Sequence, residues 1–351
     1  MIMKLSSLLI AFVLLTTAAN ANLPADIGIM ASIRTASGCS TFGISSELFE
    51  VDATCSSSYG GSGTTWSNLV ASPADGSSQS AYNFTLEASP TFTGSAGSSA
   101  AYFAMGGTNY FEISGGNTAA LGNIHKTTGG QPVTMCIAFQ TPSSIAAVNL
   151  MGTEGSGGSG TGWSMRVQSA TALRNVHVVG STGSNTTYTT TFSASTNYLV
   201  CIAVDFTGAS IKFANNANSF TGATLTHGTT TAAAAHAFQI GAADTLAIVT
   251  SGTRIYGAYG FNALLSDANL ASVVTALNAR HGRTYALVVL RPAVRYAAND
   301  NQTLGHIEAT VVDTKTVTEC DRSDPDSDCL PVVPVPDCPI GHPALDCIPV
   351  E

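Results

Sequence analysis

The sequence predicts an all-β protein whose two-sided strands pack as a sandwich, with one amphipathic helix near the C-terminal end of the domain and a Pro- and Cys-rich tail behind it. Three observations carry this. Several runs alternate apolar residues with small or polar ones, the period of a strand with two distinct faces. Turn-forming residues punctuate those runs. One long stretch changes clearly to a helical period.

Residues 1–21 read as a signal peptide. Lys4 gives a positive start, residues 8–15 are an apolar run, and Ala19-Asn20-Ala21 has the small-x-small form of a cleavage site. The run is far shorter than the ~18 apolar residues of a spanning helix, and no later segment reaches that length, so the expectation is a secreted chain beginning at Asn22 with no membrane span. Residues 22–46 form an N-terminal segment, and the domain itself covers residues 47–283.

Within it, Val133, Met135, Ile137 and Phe139 alternate with Thr134, Cys136, Ala138 and Gln140, and Tyr198, Val200, Ile202 and Val204 with Leu199, Cys201, Ala203 and Asp205. Such runs predict two-sided strands. Asp205-Phe206-Thr207-Gly208 fits a tight turn into a strand at 211–213. The Gly-rich residues 155–162 form a connection before a strand at 163–168. Ser266 caps a helix whose Leu270, Val273, Val274 and Leu277 share one face and which Gly282 ends. A shorter helix is expected at about 118–125. Residues 284–318 form a β extension, with strand-like alternation at 285–290 and 307–318, and 319–351 are an acidic tail.

The chain has 351 residues, of which 10% are charged and 44% hydrophobic; 22 acids against 13 bases give a net charge of −9. A composition this apolar excludes a disordered chain. Through Arg295 the 11 acids and 11 bases cancel, so the negative charge lies beyond it. No basic patch exists to neutralise phosphates, which argues against nucleic-acid binding.

The eight cysteines fit an oxidising compartment. Cys39 and Cys55 bracket a short loop and are expected to bond. Cys136 and Cys201 each begin a Cys-Ile-Ala run on a small-residue face and are candidates for a second bond, with buried free thiols as the alternative. Cys320, Cys329, Cys338 and Cys347 recur every nine residues, each after an acid. In the polyproline II conformation favoured by the tail's prolines, that period aligns the thiols on one edge at ~28 Å intervals, too far for bonds within one tail. Cross-links between tails, hence a homo-oligomer, are the expectation; two small loops within one tail are the alternative.

One sequence order points to a family: Trp66-Ser67-Asn68-Leu69, Pro90-Thr91-Phe92, Ala101-Tyr102-Phe103, Tyr110-Phe111, the strands at 133–139 and 198–205, Phe238-Gln239-Ile240-Gly241, the strand at 255–261, then Leu265-Ser266-Asp267-Ala268 and a helix closing on Arg280-His281-Gly282. It resembles the laminin-G-like branch of the concanavalin A-like lectin/glucanase superfamily. The resemblance implies a jelly-roll sandwich of two antiparallel sheets used for glycan binding, adhesion or assembly, with glycans or other subunits as partners; in some relatives it implies polysaccharide cleavage.

The chemistry of cleavage is incomplete in the sequence. Laminarinase-type relatives carry Glu-x-Asp-x-x-Glu on one strand; here Glu50-Val51-Asp52 is followed by Cys55 where the last carboxylate belongs, and a retaining glycosidase needs two carboxyls ~5 Å apart. Glu50 and Asp52 are therefore read as edge-strand carboxylates, whose replacement by Gln and Asn should leave folding nearly unchanged. In place of the Gln-Ile-His of alginate-lyase jelly rolls stands Gln239-Ile240-Gly241. No catalytic residue is assigned. The histidines show no metal-ligand spacing, and no metal site or cofactor is assigned. Related laminin-G folds hold calcium at a sheet rim, which makes Asp205 a calcium candidate, though its turn accounts for it without metal; Asp321, Asp324, Asp326 and Asp328 in the tail lack the Gly and distal Glu of a calcium loop and read as a solvated acidic run. Glycan contact, if present, falls to exposed aromatics near turns: Tyr59, Trp163 and Tyr188.

Overall fold

A computed structural model describes residues 39–154, 160–242 and 249–286, and two further strands beyond them. The chain divides after residue 37 into two units, and every described residue belongs to the second. The signal segment, most of the N-terminal segment and the four tail cysteines lie outside the described residues.

Among the described residues, eighteen strands follow in order. The first nine are β1 (Glu47–Asp52), β2 (Thr65–Trp66), β3 (Phe84–Glu87), β4 (Thr91–Thr93), β5 (Tyr102–Ala104), β6 (Tyr110–Ile113), β7 (Val133–Gln140), β8 (Val148–Gly152) and β9 (Gly162–Ser169). The others are β10 (Ala172–Val179), β11 (Thr182–Thr189), β12 (Asn197–Asp205), β13 (Ser210–Asn215), β14 (Thr221–Thr224), β15 (Gln239–Ile240), β16 (Arg254–Phe261), β17 (Val289–Ala293) and β18 (Glu308–Val312). Two helices interrupt them, α1 (Ala119–Gly122) and α2 (Asp267–His281).

The strands form two eight-stranded antiparallel sheets and a separate hairpin, β17–β18. The first sheet runs β14-β13-β12-β7-β16-β5-β4, with β1 also pairing β16. The second runs β11-β10-β9-β8-β15-β6-β3-β2. This is the jelly-roll sandwich that the resemblance implies, built from the two-sided strands the alternation predicts. Its main core includes Phe49, Trp66, Phe103, Phe111, Ile137 and Trp163. The expected helix at 118–125 shrinks to α1, a single turn capped by Thr118.

Both faces of the first sheet are covered, which explains why β7 and β12 are buried along nearly their whole lengths. Val133, Met135, Ile137 and Phe139 enter the main core, while Cys136 and Ala138 lie in a second apolar cluster with Leu199, Cys201 and the helix residues Leu270, Val273, Val274 and Leu277. Small residues on that face let α2 approach. The helix begins on the Ser266 hydroxyl, which accepts from the Asn269 amide, and ends at Gly282 with φ of 58°. Gly260 serves the other face: a Cβ there would collide with the Phe49 ring, its cross-strand neighbour.

Cys136 and Cys201 stand directly opposite each other on β7 and β12 and are joined by a disulfide; both are fully buried. A second disulfide joins Cys39 to Cys55 and ties the segment before β1 to the loop after it. Asp205 Oδ1 accepts from the Thr207 and Gly208 amides in the β12–β13 turn, so that carboxylate closes a hairpin.

Candidate functional site

Polar side chains gather in three places, and two of them are interior. The first lies between β1 and α2. Glu50 and Asp52, two residues apart, share a face of β1, and both are fully buried. The strand is an edge one as expected, pairing β16 alone, but its carboxylates are sealed in, with α2 closing over its outer side, so their replacement by Gln and Asn no longer counts as neutral to folding. Arg280 Nη1 donates to Glu50 Oε1 and, at 3.0 Å, to Asp52 Oδ2; Nη2 donates to the Ser40 carbonyl at 2.9 Å. The Tyr259 hydroxyl donates to Asp52 Oδ2 at 3.0 Å, and His281 Nε2 lies 3.0 Å from the same oxygen. Burial opposes the charge on Asp52, but His281 and Arg280 outweigh it and hold the carboxyl well below the usual range. Glu50, with one oxygen unpartnered, goes the other way: burial lifts it to about 7 against the pull of Arg280. Arg280 is thus shared by two buried carboxylates, and Glu50 keeps its proton until the pH nears neutrality. The cluster is buried apart from the half-buried Arg280. It fastens the helix and the segment before β1 to the sheet.

The second place is a histidine group. His177 is buried and stacked on Phe206, its Nε2 donating to the His125 carbonyl at 2.7 Å and its Nδ1 accepting from the Gly228 amide at 3.1 Å. That tautomer is neutral, and burial pulls His177 down to about 4. His125 donates through Nε2 to the Ala232 carbonyl. No metal-ligating group of three exists among the described residues.

These two places oppose each other in pH. His177, lowered from 6.5 to about 4, contributes stability present above 6.5 and lost as pH falls. Glu50, raised from 4.5 to about 7, contributes stability present below 4.5 and lost as pH rises. Each is worth up to about 3 kcal/mol, so the unfolding midpoint should change little between about pH 5 and 7. In denaturant melts, His177→Gln should become more stable toward acid and Glu50→Gln less stable toward acid; parallel profiles for the two variants would contradict this balance.

The third place lies on the side of the second sheet away from the main core, where Ser164, Val176 and Gln239 are nonetheless buried and Glu112, Arg166 and Arg174 half-buried. On the second sheet Trp163, Met165 and Val167 of β9, Ile240 of β15, and Phe111 and Ile113 of β6 enter the core, so the residues between them occupy the opposite face. Register places one residue of each strand in a row across the whole sheet: Thr65, Thr85, Glu112, Gln239, Gly152, Ser164, Val176 and Asn185. A neighbouring row holds Asn149, Arg166, Arg174 and Thr187. Gln239 Nε2 donates to Glu112 Oε2 at 2.8 Å. Ser164 and Gln239 are fully buried, yet Ser164 Oγ and Gln239 Oε1 have no hydrogen-bond partner, nor do the Nε atoms of the half-buried Arg166 and Arg174. Gly152 keeps the middle of the row shallow, since a Cβ there would lie 2.6 Å from that of Ser164. Such a face offers donors and acceptors with unsatisfied valence.

The three aromatics expected to face a ligand lie on the core side instead. Trp163 is fully buried and donates its indole N–H to Asn175 Oδ1 at 2.6 Å. Tyr59 packs between Phe92 and Phe103. Tyr188 is half-buried, stacked on Phe213 with ring centroids 5.3 Å apart. Proximity to a turn does not decide which side of a strand a ring takes; alternation does. The sequence reading missed Ser164, Arg166, Arg174, Glu112 and Gln239, although the alternation of Trp163-Ser164-Met165-Arg166-Val167 carries the signal for two of them.

No protein-family model and no curated protein matches the sequence. Among solved structures, a mutant Trypanosoma rangeli sialidase displaying trans-sialidase activity is similar at 12% identity and a TM-score of 0.43, over 68% of this chain and 34% of that one. The binding domain of botulinum neurotoxin DC, in complex with SialylT, is similar at 8% identity and a TM-score of 0.46, over 66% of this chain and 52% of that one. The CBM40 of Ruminococcus gnavus IT-sialidase, bound to α2,3 sialyllactose, is similar at 17% identity and a TM-score of 0.33, over 47% of this chain and 95% of that one.

Proposed function

We propose that the chain is a secreted, non-catalytic glycan-binding module of the laminin-G-like kind, with the outer face of the second sheet as its binding surface. The observation that carries this is the pair of neighbouring rows on that sheet, where the half-buried Glu112, Arg166 and Arg174 lie beside the buried Ser164 and Gln239, each with an unpartnered side-chain oxygen. A buried polar atom left unpaired costs about 1–3 kcal/mol, and Glu112, Arg166 and Arg174 are the polar groups beside them that a sugar can reach. The tail with Cys320, Cys329, Cys338 and Cys347 belongs to the same proposal as the cross-linking element of a surface or fibre assembly; native protein on a non-reducing gel should give a ladder that reductant collapses.

A glycan array probed with the full chain tests the binding reading. Wild type should mark a restricted set of glycans, and Gln239→Ala should weaken that signal about tenfold without loss of fold by circular dichroism. A blank array would favour a structural subunit without ligand. Release of reducing sugar from any bound glycan would replace the module by an enzyme.

A further inference from the structure

We infer that the glycan taken by this face is acidic, a chain of uronate sugars, with one carboxylate seated between Arg166 and Arg174. The inference rests on reading the face as a glycan surface and names the class of sugar. Arg166 and Arg174 stand directly opposite each other in the β9–β10 ladder on the outward side. Like charges in that position repel, and both guanidinium groups leave a buried Nε without a partner. Burial pulls Arg166 below its ordinary range, and the charge of Arg174 acts in the same sense while Glu154 opposes it. A planar carboxylate seated on the two half-buried forks relieves the repulsion.

The rest of the face selects one anion per sugar rather than a dense polyanion. Glu87 and Glu112 share the outward side, and Glu154 acts on Arg166, so acids match or outnumber the two arginines. Three strand spacings separate Arg166 from Glu112, about 14 Å at ~4.8 Å each. A short stretch of sugar chain therefore reaches from the arginines to Glu112 and Gln239, whose oxygens accept from hydroxyls.

Calorimetric titration of the full chain with hexameric oligogalacturonate, cellohexaose and a heparin hexasaccharide tests this. Oligogalacturonate should bind best, more weakly in high salt, and Arg166→Gln and Arg174→Gln should each lose about tenfold or more, with Arg166→Lys falling between. Without ligand, Arg166→Gln should melt no lower than wild type, because it removes a like-charge pair. Cellohexaose binding as tightly as oligogalacturonate, lost in Gln239→Ala but not in the arginine variants, would overturn the acidic assignment and leave the glycan reading standing. Preference for heparin would overturn the uronate. A ligand-free melt well below wild type for Arg166→Gln would make the pair structural and overturn the inference, and no binding of any of the three would remove it together with the glycan reading for these classes.

Discussion

Replacing Arg280 by Met should destabilise the fold by about 3–5 kcal/mol, the cost of leaving buried charge without its partner. Asp52 is fully buried, and Arg280 and His281 hold it ionised; Met restores packing volume but supplies neither charge nor donors. The Arg280 head also spans to the Ser40 carbonyl and lies 5.3 Å from the Phe42 ring centroid, so the segment before β1 should loosen with it. For a body of this size the melting temperature should fall by roughly 10 °C. Adding Asp52→Asn to the Arg280 variant should recover part of the loss, because the carboxylate no longer needs a cation. Equal stability of wild type and Arg280→Met in urea melts at neutral pH would show that the cluster is solvated rather than sealed.

Removing the Cys136–Cys201 bond by a double Ala substitution should cost about 4 kcal/mol in the chain-entropy model. Its partners are 65 residues apart, against 16 for Cys39–Cys55, where the same model gives ~3 kcal/mol. Ala is the informative substitution because the site is dry and small, beneath Leu270 and Val274 in the apolar cluster under α2. Exposure separates the two bonds further. Cys39 is half-buried and Cys136 and Cys201 are fully buried, so a mild reductant should open Cys39–Cys55 in the native protein while the other bond waits for unfolding. Alkylation and peptide mapping read this directly; simultaneous opening of both bonds would contradict it.

What the sequence made legible follows from period. Strands β7 and β12, the Asp205 turn and α2 each declare themselves within a dozen residues, because alternation and capping are local properties. The Glu50–Arg280 contact spans 230 positions, and nothing near Glu50-Val51-Asp52 announces that a helix will cover it. The polar row on the second sheet was hidden for a related reason. Each strand contributes one residue to it, and only the register, fixed by loops and bulges such as the one in β8, brings Glu112, Gln239 and Ser164 into line. The aromatics misled because a ring beside a turn serves a core as readily as a sugar, and the Trp163 indole had a buried acceptor in Asn175 that sequence distance concealed.

Strand β1 is the first described strand to be synthesised, and its lateral partner β16 and cover α2 are the last large elements of the sandwich. At translation rates of ~5–20 residues per second, Glu50 waits on the order of 10–50 s for Arg280 to exist. During that interval β1 has no ladder partner and Glu50 and Asp52 have no lid, although Phe49 can already pack on Tyr82 and Phe84, and the middle of the first sheet stays open along one edge of β7. The sandwich therefore cannot assemble progressively from its N-terminus. It must close in one late event, with an apolar strand kept from wrong partners until then, and a chain halted before α2 is an aggregation hazard rather than a smaller version of the domain.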